Sequence, residues 1–140
     1  KLLKKNQEVK DFKQYNVEYT VSCIYRSPQT SCEHFIHDLN TYFTENNTSK
    51  GIEILVGDIN VNLLYYADLN VVNYITTLAS YGFRSYIDSV TRPISGTCLE
   101  YFFIKNYLYI NPLDIESYVI NYDITDHYPI MLNITSNQKF

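Results

Sequence analysis

Apolar and polar positions change period several times along the chain, and each change marks an element. Val17, Tyr19, Val21, Cys23 and Tyr25 alternate with Glu18, Thr20, Ser22 and Ile24. This imperfect period of two predicts a strand over 17–25. Arg26-Ser27-Pro28 closes it, because proline donates nothing to a strand ladder. Phe35, Ile36, Leu39 and Phe43 recur at helical spacing behind a Thr30…Glu33 capping-box pattern, which predicts an amphipathic helix over 31–43. After a loop, Ile52 to Val56 is a short apolar run broken only by Glu53, as in a strand buried on both faces. Gly57 to Asn62 is a strand-to-loop turn. Asn70 can cap a second helix with Val71, Val72, Ile75, Leu78 and Ala79 on one side, and Gly82 stops it. Strands are expected over 83–87, 97–104, 119–122 and 128–134, with Asn111-Pro112 interrupting the pattern between 105 and 122. The order strand, helix, strand, helix, then strands predicts the α/β class, a layered sandwich with a mixed, largely antiparallel sheet.

Composition narrows this picture. The 140 residues suffice for one domain with a core, and 46% hydrophobic residues exclude disorder. A net charge of -4 excludes a protein that coats nucleic acid by bulk charge. It leaves a nuclease open, because a cationic groove or a bound metal neutralises phosphates locally. The 15 tyrosines suit half-buried sheet positions, with base stacking as the alternative. Cys23, Cys32 and Cys98 form no CxxC pair, against a disulfide framework or a structural zinc site. A reducing compartment, nuclear or cytoplasmic, follows as the expectation. The glycosylation sequons at Asn46, Asn47 and Asn133 are then chance matches. No apolar run approaches the roughly 20 residues that span a bilayer, so no membrane partner is expected. Lys1, Lys4, Lys5, Lys10 and Lys13 read as a solvated terminal segment, and a start without Met suggests a piece of a longer protein.

Candidate chemistry lies at two strand ends. Asp58 and Asn60 alternate after the buried run, so one face can present a carboxylate and an amide to a water, a metal-bound oxygen or a phosphate. Taken alone, Gly57-Asp58-Ile59-Asn60 is as well explained as a plain turn. Asp126-His127 precedes the last strand and offers an acid–base or phosphate-donor pair, with a loop cap as the alternative. Asp123 competes for the same role from further off. Glu100 stands among apolar residues and needs a partner, and His127 is available. His34 and His37 read as surface residues of the first helix.

Taken in order, several stretches resemble the endonuclease/exonuclease/phosphatase superfamily. The nearest flavour is the apurinic-like endonuclease domain of non-LTR (LINE-type, jockey-like) retrotransposons. They are Val21-Ser22-Cys23-Ile24-Tyr25-Arg26-Ser27-Pro28; Ile54 through Leu64 around Gly57-Asp58-Ile59-Asn60; Tyr81-Gly82-Phe83; Val90-Thr91-Arg92-Pro93; Thr97 through Phe103; and Thr125-Asp126-His127-Tyr128-Pro129-Ile130. The resemblance covers about 17–134 and implies a DNase I-like fold that hydrolyses DNA phosphodiesters with Mg²⁺. It implies that Tyr25 touches the scissile phosphate, that Asp58 orients or deprotonates the attacking water, and that Asn60 helps place water and phosphate. His127 would hold a phosphate oxygen, and Asp126 would act as a supporting or metal-site carboxylate. Thr91, Arg92 and Asn62 would lie along the substrate backbone.

The chain departs from the pattern twice. Glu100-Tyr101 stands where the family usually has Asp-His, so the carboxylate partner of His127 is one methylene longer. Nothing before Val17 resembles the family's early strands with their Asn and metal-binding Glu. The expectation is one partial domain over 1–140, the C-terminal part of an endonuclease domain. The resemblance implies DNA as its substrate partner and a reverse transcriptase domain C-terminal to it in a parent polyprotein. The isolated chain should bind Mg²⁺ poorly and nick DNA weakly, with one sheet edge and one core face uncovered. A phosphatase of the same superfamily and a non-catalytic, DNA-binding remnant are the rival readings.

Overall fold

Two sheets and two helices take up the apolar positions in the computed structural model, which describes residues 3–6, 18–46, 50–107, 113–122 and 124–136. The elements are β1 (Leu3–Asn6), β2 (Tyr19–Tyr25), α1 (Cys32–Glu45), β3 (Ile52–Asp58), α2 (Leu69–Ser80), β4 (Arg84–Ser85), β5 (Glu100–Asn106), β6 (Leu113–Val119) and β7 (Ile130–Ser136). The larger sheet has the order β1-β2-β3-β5-β4, and β6 and β7 form a separate antiparallel pair. β2 and β3 are parallel, joined through α1, and every other pairing is antiparallel. The mixed α/β class and the predominance of antiparallel pairs match the expectation.

β3 is central, which is why its sequence is apolar on both faces. One face of the sheet carries Ile24, Leu55, Tyr101 and Phe103 toward the helices. There Tyr74 of α2 meets Tyr101 and Phe103 edge-on at 6.1 and 5.8 Å between ring centroids. Phe43 of α1 joins Tyr81 and Phe83 at 4.9 and 5.3 Å. All four sheet residues are at most 1% exposed. Side chains alternate along a strand, so Tyr25, Asp58, Glu100, Phe102 and Ile104 point to the opposite face. The β6–β7 hairpin approaches that face with Ile115, Val119, Ile130, Leu132 and Ile134, all of them only partly buried.

Several boundaries differ from the sequence reading. Ser31, not Thr30, caps α1, its Oγ accepting from the His34 amide, and the helix runs on to Glu45. Asp68, not Asn70, caps α2 by accepting from the Asn70 amide. The buried stripe of α2 is Val71, Tyr74 and Leu78, whereas Val72 and Ala79 face outward. Gly82 does end α2: at φ +88° it donates to Ala79 while Phe83 donates to Leu78, a Schellman pair. Gly57 and Asp58 belong to β3, so the turn starts later than read. β5 starts at Glu100 rather than 97 because Asn62 and Thr91 hold the preceding backbone outside the ladder. Only Arg84–Ser85 pairs within 83–87. β6 ends where 119–122 was expected to begin, and β7 covers Ile130–Ser136.

The larger surprise is β1. The segment read as solvated lysines places Lys4 and Lys5 in a strand that pairs antiparallel with β2, so the β2 edge is covered. Val17, Lys1, Lys10, Lys13, Asn47, Asn111, Pro112 and Asp123 lie outside the described residues. Among the described residues, no helix is long and apolar enough to cross a membrane, and Cys23, Cys32 and Cys98 are free thiols.

Candidate active site

One cross-strand row carries the polar residues. Tyr25 ends β2, Asp58 ends β3 beside it, and Glu100 opens β5 opposite Asp58. The C-terminal ends of two parallel strands and the start of an antiparallel one thus deliver three side chains to one edge of one face. Ligands commonly gather at such carboxyl ends. His127 enters from the segment leading into β7, and its Nδ1 is hydrogen-bonded to Glu100 Oε1. Asp58, Glu100 and His127 can each present a donor atom such that all lie within 4.8 Å of one another.

The surrounding bonds fix this row. Asp58 Oδ1 accepts from the Asn60 amide at 2.7 Å, an Asx turn that holds Asn60 at φ +52°. The Asn60 side chain donates back to the Arg26 carbonyl at 2.9 Å. Arg26 is buried, and its guanidinium donates to the carbonyls of Ile59 (2.6 Å), Asn60 (2.8 Å) and Thr30. It clamps the chain leaving β2 to the turn leaving β3. In the sequence Arg26 stands in the strand stop and in one of the resembling stretches, with no role of its own.

The expected substrate-backbone residues have other work. Thr91 is fully buried; its hydroxyl accepts from Leu99 and Glu100 amides at 3.0 and 3.4 Å, and its carbonyl accepts from Tyr128 at 2.7 Å. It ties the start of β5 to the segment carrying His127. Asn62 Oδ1 accepts from the Cys98 and Leu64 amides at 3.0 and 3.2 Å, closing the loop after β3 onto β5. Both side chains therefore position the row from behind. Arg92 reaches the surface, where it holds Asp126 Oδ2 at 2.7 Å.

Asp126, read as a metal ligand, is outside the cluster of Asp58, Glu100 and His127. Its hydrogen bond from Arg92 holds its carboxyl below the usual value, and the same oxygen lies 3.7 Å from His127 Nε2. Tyr25 is 56% exposed on the row and does not fill the core. Tyr101, which replaces an imidazole of the pattern, points away toward the helices, where burial raises its hydroxyl pKa. His34 and His37 are exposed, as read, and His34 sits 3.7 Å from Asp38. An open depression of about 590 Å³ is lined by Pro93, Ile94, Ile124, Thr125, Asp126 and Tyr128, and none of Tyr25, Asp58, Glu100 and His127 lines it.

The donor chemistry fits a divalent cation. Two carboxylates face one another across β3 and β5, and Glu100 Oε2 is buried without a hydrogen-bond partner. A buried carboxylate oxygen with no proton donor needs positive charge. Asp58, Glu100 and one imidazole nitrogen would hold the ion.

No protein-family model matches the sequence, and no curated protein matches it. Solved structures do. The endonuclease domain of TRAS1, a telomere-specific non-LTR retrotransposon, superposes with TM-score 0.65 at 17% identity, covering 91% of this chain and 62% of that one. Staphylococcus aureus beta toxin gives TM-score 0.56 at 13% identity over 86% of this chain and 54% of the toxin. CdtB, the biologically active subunit of cytolethal distending toxin, gives 0.52 at 11% identity over 80% and 46%. The chain thus spans less than two thirds of the proteins it resembles. At these identities the likeness shows the fold alone, and the chain shares the DNase I-like α/β fold of these structures.

Proposed function

We propose that the chain carries the catalytic row of a metal-assisted phosphodiesterase acting on DNA, as the C-terminal part of a retroelement-type endonuclease domain. The observation that supports this most is the alignment of Tyr25, Asp58 and Glu100 on one sheet row with His127 closed onto it. Asp58 accepts the proton of an attacking water, with its other contacts fixed by the Asn60 amide. His127, oriented through Nδ1 by Glu100, has Nε2 left to donate to a phosphate oxygen. The Tyr25 hydroxyl meets the phosphate from the exposed side of the row. A divalent ion, Mg²⁺ by the resemblance, supplies positive charge against the phosphate when bound on the carboxylates. The protein needs that charge, because the chain is net -4 and the Arg92 beside the row is already held by Asp126.

In a parent polyprotein, nicking one strand would leave a 3′-hydroxyl to prime reverse transcription. The test is relaxation of supercoiled plasmid with Mg²⁺ or Mn²⁺. Slow nicking that falls at least 100-fold in both Asp58→Ala and His127→Ala supports the reading. Cleavage of neither DNA nor a phosphomonoester, together with retained DNA affinity, would make the chain a binding remnant instead.

A further inference from the structure

The β6–β7 hairpin covers only half of its face of the main sheet. Beneath it Ile54, Phe102 and Ile104 are at most 8% exposed. Over β2 the cover ends: Tyr19, Val21 and the neighbouring Val56 are half-buried and Cys23 is exposed, with Tyr25 at the end of the strip. We propose that a second copy of this chain covers this strip, so that the protein self-associates through the β1–β2 half of its sheet. The contact lies beside the catalytic row and does not depend on which bond that row cuts.

Shape is the first argument for a second copy. β6 reaches the β4 side, where Ser117 Oγ donates to the Tyr86 carbonyl, and β7 lies inward against β5. Bare strip and hairpin therefore form a step one layer high. A step is its own complement under a two-fold axis along the strands. That axis lays each bare strip on the other and sets each hairpin beside the partner's β1. Both catalytic rows then open at the same end of the pair.

Strand edges and charge agree with that placement. Among the described residues β1 ends the five-stranded sheet and β7 ends the two-stranded one, so the two-fold brings two open edges together twice. β1 carries Lys4 and Lys5, whereas the hairpin set beside it carries Asp114 and Glu116 on β6. Opposite charges thus meet across the pair. The size of the contact sets its strength. β2 has seven residues, so two strands at ~3.3 Å per residue and ~4.8 Å spacing offer roughly 200 Å² of flat surface per copy. Even with the edges added this stays under the ~1,200 Å² of a standard interface, so the dissociation constant should be on the order of 100 μM.

The whole chain under reducing conditions is followed by sedimentation equilibrium from about 10 μM to about 1 mM, a range that brackets the expected constant. A trace of N-ethylmaleimide with peptide mass mapping reads each thiol at both ends of the range. A monomer–dimer equilibrium is expected, and Cys23 should react about fourfold more slowly at the upper end. Cys32, half-buried on α1, should change by less than about twofold and serves as the internal reference. Cys23→Lys puts a charge in the strip at a position the free chain exposes, so the fold tolerates it, and it should weaken the dimer at least about tenfold. Leu69→Lys, on the exposed side of α2, should leave the dimer unchanged. Circular dichroism checks both variants, and Val21→Lys replaces Cys23→Lys if that one is misfolded. A monomer throughout the range would overturn the proposal. So would a dimer that survives Cys23→Lys but not Leu69→Lys, because the interface would then lie on the helices. Cys23 protection that is the same at both concentrations would also overturn it, because the strip would then be covered from within one chain.

Discussion

At the scale of single residues, the site works because small polar groups hold larger ones in place. Asn60 is the clearest case, since it occupies a left-handed conformation at φ +52° and spends its side-chain amide on the Arg26 carbonyl. Alanine tolerates neither demand. Asn60→Ala should cost about 2 kcal/mol, combining left-handed strain with a lost hydrogen bond. Asn60→Gly relieves the backbone part and should cost less, and urea melts of the two variants separate the terms. Asp126 offers a titration test. The Arg92 hydrogen bond lowers its pKa, so the stabilisation is present above the ordinary value of 3.8 and is lost as pH falls through the lower folded value. Carboxyl-carbon NMR should place the Asp126 midpoint below 3.8, and Arg92→Ala should return it toward that value. A midpoint at or above 3.8 in the unaltered chain would mean that the ion pair is not kept in solution.

At the scale of elements, Arg26 joins two turns that the sheet alone leaves loose. Its guanidinium serves carbonyls from the loop after β2 and the turn after β3, so both Tyr25 and Asp58 depend on it. Arg26→Met leaves those buried acceptors without a charged donor and should cost about 3 kcal/mol in a urea midpoint. A loss below about 1 kcal/mol would show that water replaces the guanidinium readily. The same elements show what the sequence makes legible. β2, α1 and α2 carry periods of two or 3.6 and β3 a short apolar run, and each was readable to within a few residues. Asp58, Glu100 and His127 were readable as candidates because carboxylates and an imidazole at strand ends are costly unless used. Thr91 and Asn62 hold backbone in the structure, and a buried hydroxyl or amide that does so looks, in sequence, like one that awaits a substrate. β1 was missed because its Leu-Lys-Lys-Asn carries almost no apolar signal, and its pairing with β2 supplies the order.

At the scale of the whole molecule, the two faces of the main sheet are closed to different degrees, and the site straddles the difference. On the helix side Leu39, Tyr74, Leu78, Tyr101 and Phe103 are at most 1% exposed. On the other side the hairpin residues Ile115, Val119, Ile130, Leu132 and Ile134 remain partly open, so separating the hairpin exposes less new apolar surface than separating a helix. Hydrogen exchange should therefore show β6 and β7 opening locally at lower free energy than β3 and β5, which exchange only on global unfolding. Asp58 and Glu100 belong to the slow body, whereas His127 rides on the segment before the fast strand. A cation shared by all three would stitch the layers together, and ligand that binds only the closed form raises the cost of opening. Mn²⁺ at 100 times its dissociation constant should slow β7 amides by up to about 100-fold, while β3 amides slow no more than the rise in global stability allows. Unchanged β7 exchange at saturating Mn²⁺ would separate His127 from the ion and confine the site to the sheet carboxylates. Equal protection of β3 and β7 without metal would mean that the hairpin and the sheet already open as one unit.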